Sequence, residues 1–500
     1  MTGTLYAYPD WKAPPADGDI LLWPDVKSLL DSVRGNSLSL DRAGHVRIQH
    51  LPIPELRREL RRWIGHDSAA PLIASGHQVE LKHPGVWAKD VLADALARRC
   101  DGAAFHIAVD TDAPKHLHLR WPGGVWYITD DPGAAGAEWA QMLTTPTPAH
   151  LAAIDADLRR AAETWGFSPM LPAFLQNMRR LGLESSSLTW VLTNAMHALD
   201  WELGLGHHAL LASPIWMSPP YLAFVHHLLA RVDSFAGVYN ATLDAYRPQA
   251  GIRNPGRPWP NLKLSPDCHE APFWLDLMEP VERRRACAVR DGSRWALRCR
   301  DELFPLDPAA DGWEAAQRLG RFLDQHRLRL APRALTLTMF LRLLACDLFI
   351  HGIGGGRYDQ VTDRVIAHWL NLAPPAFAVT TATMLFPTSL GQKRVDLAAL
   401  RRQGHRLRHS LLGDRKRELA SRINQLPRRS PQRAELFFQM HRELAEAING
   451  PAWRQWQDRL QSARVLEVQQ RDVFNRELFY ALQPRQRLLA LVDRYRQRIC

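Results

Sequence analysis

The sequence has no long apolar segment and no leader-like start. Of its 500 residues, 46% are apolar, but no run reaches the ~18 consecutive apolar residues by which a membrane-spanning helix is recognised. The first residues, Met1 to Trp11, lack the basic-then-apolar layout of a secretory signal peptide. A membrane protein and a secreted protein are therefore not expected, and we predict a cytoplasmic location.

Cysteine is scarce as well. The six cysteines are scattered without CxxC pairs, which argues against a zinc ribbon or a disulfide scaffold and for reduced thiols. Three histidines, His106, His116 and His118, lie close in the sequence, but no cysteine or carboxylate at a suitable spacing completes a zinc-binding set with them. The sequence therefore predicts no metal site.

Acidic residues are outnumbered in one region only. The chain has a net charge of +11, and residues 391–500 contain 24 Lys and Arg against 11 Asp and Glu. The remaining 390 residues contain 39 against 41. Such a basic segment either contacts nucleic acid or forms an arginine-rich solvated helical surface, and the lack of a nucleic-acid motif favours the surface.

Two stretches show the strand–helix–strand pattern of a parallel sheet. In the first, a buried strand at Leu72–Ser75 precedes a helix that opens at Pro84 and a strand at Ala103–Val109. In the second, a strand at Leu343–Ile350 leads through a glycine-rich turn to a helix and a strand at Phe377–Thr380. Crossovers of this length connect parallel strands. The pattern predicts an α/β fold with a parallel sheet core.

Length and composition predict four segments. Residues 1–130 form the N-terminal part of the parallel-sheet core, and residues 131–330 add further core elements with an inserted α+β subdomain. Residues 331–390 complete the core with the glycine-rich turn, and residues 391–500 form a basic helical coiled-coil arm. The antiparallel strands of the subdomain are predicted at Pro272–Leu277, Ala286–Arg290 and Trp295–Cys299.

The first strand ends in a polar turn that is a candidate binding site. Gly76, His77 and Gln78 stand where parallel sheets bind ligands. His77 suits hydrogen bonding to a phosphate or carboxyl oxygen, or proton transfer near neutral pH, and a turn or helix-capping histidine is the alternative. Positive charge for an anionic substrate would come from Lys82, His83 and Lys89, unless these side chains simply face solvent.

The second turn is rich in glycine. Backbone amides at Gly352, Gly354, Gly355 and Gly356 would cradle a phosphate at the start of the following helix. The spacing matches neither the strict dinucleotide pattern nor a P-loop, so an ordinary strand-to-helix turn is the alternative. The side chains beside this turn that we count as substrate-binding candidates are His351, Arg357, Tyr358 and Asp359.

Two acidic residues, Asp110 and Asp112, follow the strand at Ala103–Val109. A carboxylate at a strand end commonly hydrogen-bonds a ribose or orients an amine. A pair of acids in this position can also be only a turn former. We count both as catalytic candidates, together with His77 and Gln78.

These residues resemble those of the bacillithiol biosynthesis cysteine-adding enzyme family. The resemblance lies in Ser75-Gly76-His77-Gln78 followed by a Pro-Gly-x-Trp helix start, in the strand Phe105–Val109 with Asp110-Thr111-Asp112, and in the block Arg333–Asp359. Two positions depart from the family: its longer acidic stretch is reduced to Asp110-Thr111-Asp112, and Gly352–Arg357 replaces its Gly-Pro-Gly-Glu turn. The chain thus looks like a divergent member.

The resemblance implies a Rossmann-like core, a coiled-coil dimerisation arm and ligation of cysteine to glucosaminyl-malate. We accordingly expect a ligase that joins a cysteine-like amino acid carboxyl to an amine of a small anionic acceptor. His77 and Gln78 would stabilise charge at the reacting carbonyl, and Asp110 or Asp112 would hold the amine or a ribose. ATP or another adenine nucleotide stays an open candidate cofactor. The alternatives are a nucleic-acid-binding protein that uses the basic arm and a non-catalytic dimeric interaction protein.

Overall fold

The computed structural model describes residues 8–131, 133, 136–137, 139–256, 259–389, 394–448 and 450–500. Its internal contacts divide the chain into two compact units. The first contains residues 1–384 together with 476–500, and the second contains residues 385–475. Among the described residues, none of the helices has the length and apolar character that crossing a membrane requires.

The strands, in chain order, are β1 (Ile20–Trp23), β2 (Arg47–Ile48), β3 (Leu51–Pro52), β4 (Leu72–Gln78), β5 (Ala103–Val109), β6 (His118–Trp121), β7 (Gly124–Tyr127), β8 (His208–Leu211), β9 (Leu264–Ser265), β10 (Cys268–Met278), β11 (Val281–Asp291), β12 (Arg294–Cys299), β13 (Glu302–Leu306), β14 (Leu328–Pro332), β15 (Leu348–His351) and β16 (Phe377–Ala382). The helices are α1 (Val26–Asp41), α2 (Ile53–Trp63), α3 (Pro84–Cys100), α4 (Pro148–Ala162), α5 (Leu171–Leu181), α6 (Leu188–Glu202), α7 (Pro219–Ala230), α8 (Val232–Gln249), α9 (Gly312–Gln325), α10 (Ala334–Phe340), α11 (Ile353–Leu370), α12 (Leu397–Ser410), α13 (Gly413–Gln425), α14 (Pro431–Ile448), α15 (Pro451–Gln470) and α16 (Arg485–Ile499).

The first unit is built on a mostly parallel sheet, which confirms the α/β prediction. The strand order is β1-β16-β15-β4-β5-β8. All neighbours from β16 to β8 pair in parallel, and β1 pairs antiparallel with β16. Numbered along the chain, the five parallel strands lie in the order 3-2-1-4-5. The direction in which the sheet grows therefore reverses between β4 and β15.

The βαβ unit from β4 to β5 forms as its sequence predicts. Pro84 occupies the first turn of α3, where a missing N–H costs nothing, and Asp101 ends the helix in the left-handed conformation at φ 51°. Helix α3 contacts β4, β5 and β16, and α11 contacts β15 and β16. Asp90 of α3 contacts Ser75 of β4, and Asp359 of α11 contacts His351 of β15, which lies on the other face of the sheet. The two helices therefore cover opposite faces.

The second βαβ unit differs from its prediction at two points. Residues Leu341–Ala345 are helical, and β15 begins only at Leu348. A short apolar run that is buried on all sides fits a helix as well as a strand, which explains this error. The predicted glycine-rich turn is also wrong in part: Gly352 caps α11, which starts at Ile353, so Gly354–Gly356 belong to its first turn.

A second sheet, in the order β13-β12-β11-β10-β14, is antiparallel throughout, with β9 pairing on β10. It contains the three strands predicted for the inserted subdomain. Helices α7 and α8 pack against it. This sheet therefore contributes to the main core of the first unit.

The second unit is an antiparallel helical hairpin with a net charge of +9. The chain reverses after α13, so that α13 contacts α14 and α12 contacts α15. Gly404, which interrupts the apolar stripe in the sequence, lies under Trp456, and any Cβ there would overlap the indole ring. The indole N–H donates to Leu400 O at 3.0 Å. The predicted arm, residues 391–500, also included α16, which instead packs on α3 in the first unit.

Candidate functional site

The C-terminal ends of the parallel strands meet at one edge of the main sheet. Ile350 of β15 pairs with Ser75 of β4, and Gln78 of β4 pairs with Val109 of β5. Gly76, His77 and Gln78 therefore lie between His351 on one side and Asp110 on the other. This edge includes the reversal of strand order between β4 and β15, where open α/β sheets bind ligands.

The sheet itself divides the predicted site into two halves. Successive side chains of a strand point to opposite faces. Since Ile350 pairs with Ser75, His351 lies on the same face as Gly76 and Gln78, and His77 lies on the other face. The structure thus brings the two strand ends together but directs their histidines away from each other.

On the α3 face, His77 is paired with Glu80. His77 Nε2 lies 2.6 Å from Glu80 Oε1, and the side chains are 25% and 8% exposed. Burial and the nearby Lys89 lower the pKa of His77, so the imidazole is neutral at pH 7. Burial raises the pKa of Glu80, but the hydrogen bond with His77 and the neighbouring basic groups, Lys115 among them, together hold it below its usual value. The second oxygen, Oε2, has no hydrogen-bond partner among the described residues.

Of the basic residues that follow, Lys82 and Lys89 are buried and His83 is partly buried, so the solvent-exposed alternative does not hold for them. Lys89 Nζ donates to Gly76 O at 2.6 Å, and burial lowers its pKa to about 8. Lys82 forms an ion pair with Asp90 at 2.8 Å. His83 is the N-cap of α3 and accepts from Gly85 N at 3.1 Å. Burial lowers the pKa of His83 to about 3.

The two acidic candidates have different environments. Asp110 is 1% exposed and accepts from Ser213 N at 2.8 Å and from Ser213 Oγ at 2.5 Å. Burial raises its pKa. It therefore fastens the end of β5 to the segment after β8. Asp112 is only partly buried, and its Oδ2 accepts from Gln78 Nε2 at 2.8 Å.

On the α11 face, His351 and Asp359 belong to a buried ion-pair network. Asp359 Oδ2 lies 2.8 Å from His351 Nε2 and accepts from Arg342 at 2.7 Å, and Thr338 donates to Oδ1 at 2.6 Å. Burial alone would raise the pKa of Asp359, but Arg342 and His351 hold it well below its usual range. This network joins α10, β15 and α11, which is a supporting role.

Arg357 and Tyr358 do not join these residues. Arg357 is about half-exposed and donates to Asp10 and to the Trp11 carbonyl, both at 2.9 Å. Tyr358 is 41% exposed, and its ring packs edge-on against Trp259. Although Arg357 and Tyr358 are close to His351 in the sequence, their side chains do not join the other candidate residues at the strand ends.

The four glycines fall into two groups. A Cβ at Gly355 would lie 2.7 Å from His351 Nδ1, and one at Gly356 would overlap Val379, so both glycines permit close helix–sheet packing. At Gly352 and Gly354 a Cβ would meet nothing within 4 Å. Gly352 caps α11 without a side-chain hydrogen bond. The first N–H groups of this helix carry its positive dipole end, and among the described residues no side chain caps them.

A second buried cluster lies beneath the half of the candidate site that is on the face of the sheet covered by α3. Asp90 Oδ1 lies 2.8 Å from His106 Nδ1 and also accepts from Ser75. Burial lowers the pKa of His106 to about 4. Behind it, Asp200 accepts from Trp87 and Tyr480, each at 2.8 Å, and burial raises the pKa of Asp200 to about 7. Sequence reasoning considered His106 only with His116 and His118, whereas its partner is 16 residues earlier on α3.

Sequence reasoning also missed Glu80, although its spacing of three residues from His77 was a usable signal. A surface groove of about 560 Å³ is lined by residues of α2, the start of α7 and Trp313, none of which comes from the strand ends. No protein-family model matches the chain, and no curated protein shows significant sequence similarity to it.

Proposed function

We propose that the chain is a carbon–nitrogen ligase with a Rossmann-like core, a divergent relative of the cysteine-adding enzymes of bacillithiol biosynthesis. It joins a cysteine-like amino acid carboxyl to the amine of a small anionic acceptor such as a glucosaminyl-malate-like compound. One observation carries the proposal: the His77–Glu80 pair and the open start of α11 lie at the ends of adjacent parallel strands, β4 and β15.

The open start of α11 is the proposed anion-binding element. Unpaired N–H groups and the dipole of an 18-residue helix attract phosphate or carboxylate. Gly352 and Gly354 place no side chain in the space that such a group would occupy. The strand order 3-2-1-4-5 supports the Rossmann-like assignment. Ligands of such sheets bind where the strand order reverses.

His77 is the proposed proton acceptor. A neutral imidazole can take the proton that an amine loses as its nitrogen bonds to the acyl carbon, and Glu80 stabilises the resulting imidazolium. The carboxyl oxygen must first be activated, and a nucleoside triphosphate such as ATP is the proposed co-substrate. Its phosphoryl or nucleotidyl group departs with that oxygen as the C–N bond forms.

The other predicted residues divide by their contacts. Gln78 and Asp112 stay in the proposed site as a hydrogen-bonded pair that can orient the amine or a ribose. Lys89 stays as a positive charge beside Gly76. The remaining candidates are assigned supporting roles, because their side chains are engaged in internal contacts: Lys82, His83, Asp110, His351, Arg357, Tyr358 and Asp359.

A coupled assay tests this function. Purified protein is incubated with ATP, single amino acids and aminosugar-malate acceptors, and formation of ADP or AMP is followed with the amide product. We expect product only when all three substrates are present. Nucleotide hydrolysis without an acceptor-dependent product, or no binding of nucleotide or amino acid, would count against a ligase.

A second candidate function is nucleic-acid binding by the second unit. Its net charge of +9 is accompanied at the hairpin tip by a groove of about 670 Å³, which contains Arg428, Arg429 and the exposed Phe437 and Phe438. Arginine side chains next to aromatic rings, which can stack on bases, suit the binding of single-stranded nucleic acid. Affinity for RNA or DNA that falls steeply with added salt would support this function, and a flat salt response would remove it.

Dimerisation through the helical hairpin is proposed as well. Three apolar side chains of α15, Val465, Leu466 and Val468, are between 43% and 72% exposed. A second copy of the hairpin would cover them. Sedimentation of the full chain at several concentrations tests this: a dimer that Val465→Lys with Val468→Lys converts to monomer is the expected result, and an unchanged mass would contradict it.

A further inference from the structure

The pair formed by Asp200 and His207 lacks a normal hydrogen bond. Asp200 Oδ2 and His207 Nε2 are 3.4 Å apart, and both side chains are 1% exposed. This separation exceeds the ~2.7–3.2 Å of an N–H···O hydrogen bond. Asp200 Oδ2 has no hydrogen-bond partner among the described residues. A fully buried carboxylate oxygen without a partner calls for a physical explanation.

Asp90 faces the same point from α3. One ligand atom from each of Asp90, Asp200 and His207 can be chosen so that all three lie within 4.8 Å of one another. Asp90 already accepts from Ser75, Lys82 and His106. A carboxylate offers about four acceptor positions, so one remains.

The charges in this cluster are also unbalanced. Lys82 offsets the charge of Asp90. Asp200 contacts only neutral groups in the described structure: the Trp87 indole, the Tyr480 hydroxyl and the ring of His207. Lys82, a cation that also attracts Asp200, is already paired with Asp90, and burying an ionised carboxyl group without a cation of its own is costly. A cation placed between Asp200 and His207 would supply both the contact that Asp200 Oδ2 lacks and the positive charge that its carboxylate needs.

We propose that Asp90, Asp200 and His207 bind a divalent transition-metal ion, with Zn²⁺ as the expected occupant. Ligand distances of about 2.0–2.1 Å in a tetrahedral zinc site place neighbouring ligand atoms about 3.3 Å apart, close to the observed 3.4 Å. Imidazole with carboxylate oxygens is a donor set that zinc accepts. The hydrogen bonds of Trp87 and Tyr480 to Oδ1 hold Asp200 in the orientation that this requires.

The proposed ion has a structural role. Its ligands come from α3, from α6 and from the residue before β8, so it ties two helices and a strand together behind the sheet. All three ligands are buried, which leaves a substrate no access. The site is independent of the proposed ligase function, and neither result decides the other.

Metal content and a spectroscopic probe test the proposal on the full chain. We expect one zinc ion per chain after purification without an affinity tag, and a lower melting temperature after chelation that added Zn²⁺ restores. Co²⁺ added to the chelated protein should show the visible absorption of a tetrahedral site. Asp200→Asn keeps an oxygen that can accept from Trp87 and Tyr480, and His207→Gln keeps the polarity, yet each should weaken zinc binding at least ~100-fold.

His118→Gln, a change at an exposed histidine, is the matched control and should bind zinc like the wild type. Metal content far below one ion per chain together with a melting temperature that zinc does not change would overturn the proposal in favour of a buried water. Unchanged zinc affinity in both ligand variants would overturn it too. If the variants fail to fold, the cobalt spectrum of the wild type decides, because an octahedral or absent signal contradicts the proposed ligands.

Discussion

The ends of β4 and β15 are neighbours, but they are built in opposite ways. After β4, the helix start is closed: His83 caps α3, and a Cβ at Gly85 would lie 2.5 Å from Thr381 Oγ1 and 2.6 Å from an Arg476 nitrogen. Beside it, the side chain of His77 is partly accessible and that of its partner Glu80 is buried. After β15, the side chains are locked in ion pairs, and the helix start is open.

The difference suggests that the two strand ends have different functions. In the proposed function, the end of β4 supplies side chains for proton transfer, and the end of β15 supplies backbone N–H groups for an anion. A symmetric site with two equivalent glycine turns, as the sequence suggests, would instead bind an anion at both ends. The predictions below separate these two arrangements.

The largest expected effect is on turnover and comes from His77. Replacing it by glutamine removes the proton acceptor, and loss of a general base lowers kcat by about 10²–10⁴-fold. Substrate binding should change little, because the anion is held by α11. Steady-state kinetics and calorimetric titration measure the two effects separately.

His83→Gln is the matched control, since His83 lies in the same turn but acts as a helix cap. It should cost about 0.5–2 kcal/mol of stability and leave kcat nearly unchanged. If His83→Gln lowered kcat as much as His77→Gln, the assignment of the proton acceptor would be wrong.

At the end of β15 the largest effect is on stability. Asp359→Asn removes one of the two carboxylates paired with the buried Arg342, and Asp363 keeps the other pair, so the cost should lie near the lower end of the about 3–5 kcal/mol for breaking a buried pair. Because the folded pKa of Asp359 is lowered, its contribution is complete above the unfolded pKa of about 3.9 and is lost as the pH falls below it. Urea unfolding at several pH values should show the wild type and Asp359→Asn converging in acid. Equal differences at pH 7 and pH 3 would contradict this.

The pH dependence of turnover should follow His77. Its pKa is lowered from 6.5 by burial, and a base acts in its neutral form, so kcat/KM should rise with pH, reach half of its maximum below pH 6.5 and stay level above pH 7. The slope below the midpoint should approach tenfold per pH unit. A midpoint above pH 7 would point to another group, such as Lys89, whose pKa is about 8.

The sequence predicts the first βαβ unit well and the second one less well, for physical reasons. At β4 and α3, Pro84 and the alternation of apolar runs leave one consistent arrangement. At Leu343–Ile350, a uniformly apolar run allowed two. The sequence placed the candidate residues at strand ends, but the contacts of their side chains join residues far apart in the chain: Asp110 accepts from Ser213, and Asp200 lies 110 residues after Asp90. No local spacing encodes such pairs.

The smallest expected effect distinguishes the glycines of α11. Gly354→Asp places a negative charge in open space at the helix start, where it should stabilise the helix by about 0.3–1 kcal/mol. The same charge repels an incoming phosphate or carboxylate, so binding of ATP or an anionic acceptor should weaken severalfold, as calorimetry can measure. Gly355→Ala brings a methyl group against His351, so it should lower the melting temperature and leave anion affinity nearly unchanged. The opposite pattern would mean that the open end of α11 is only a structural gap, and the contrast between the two strand ends would then lose its functional meaning.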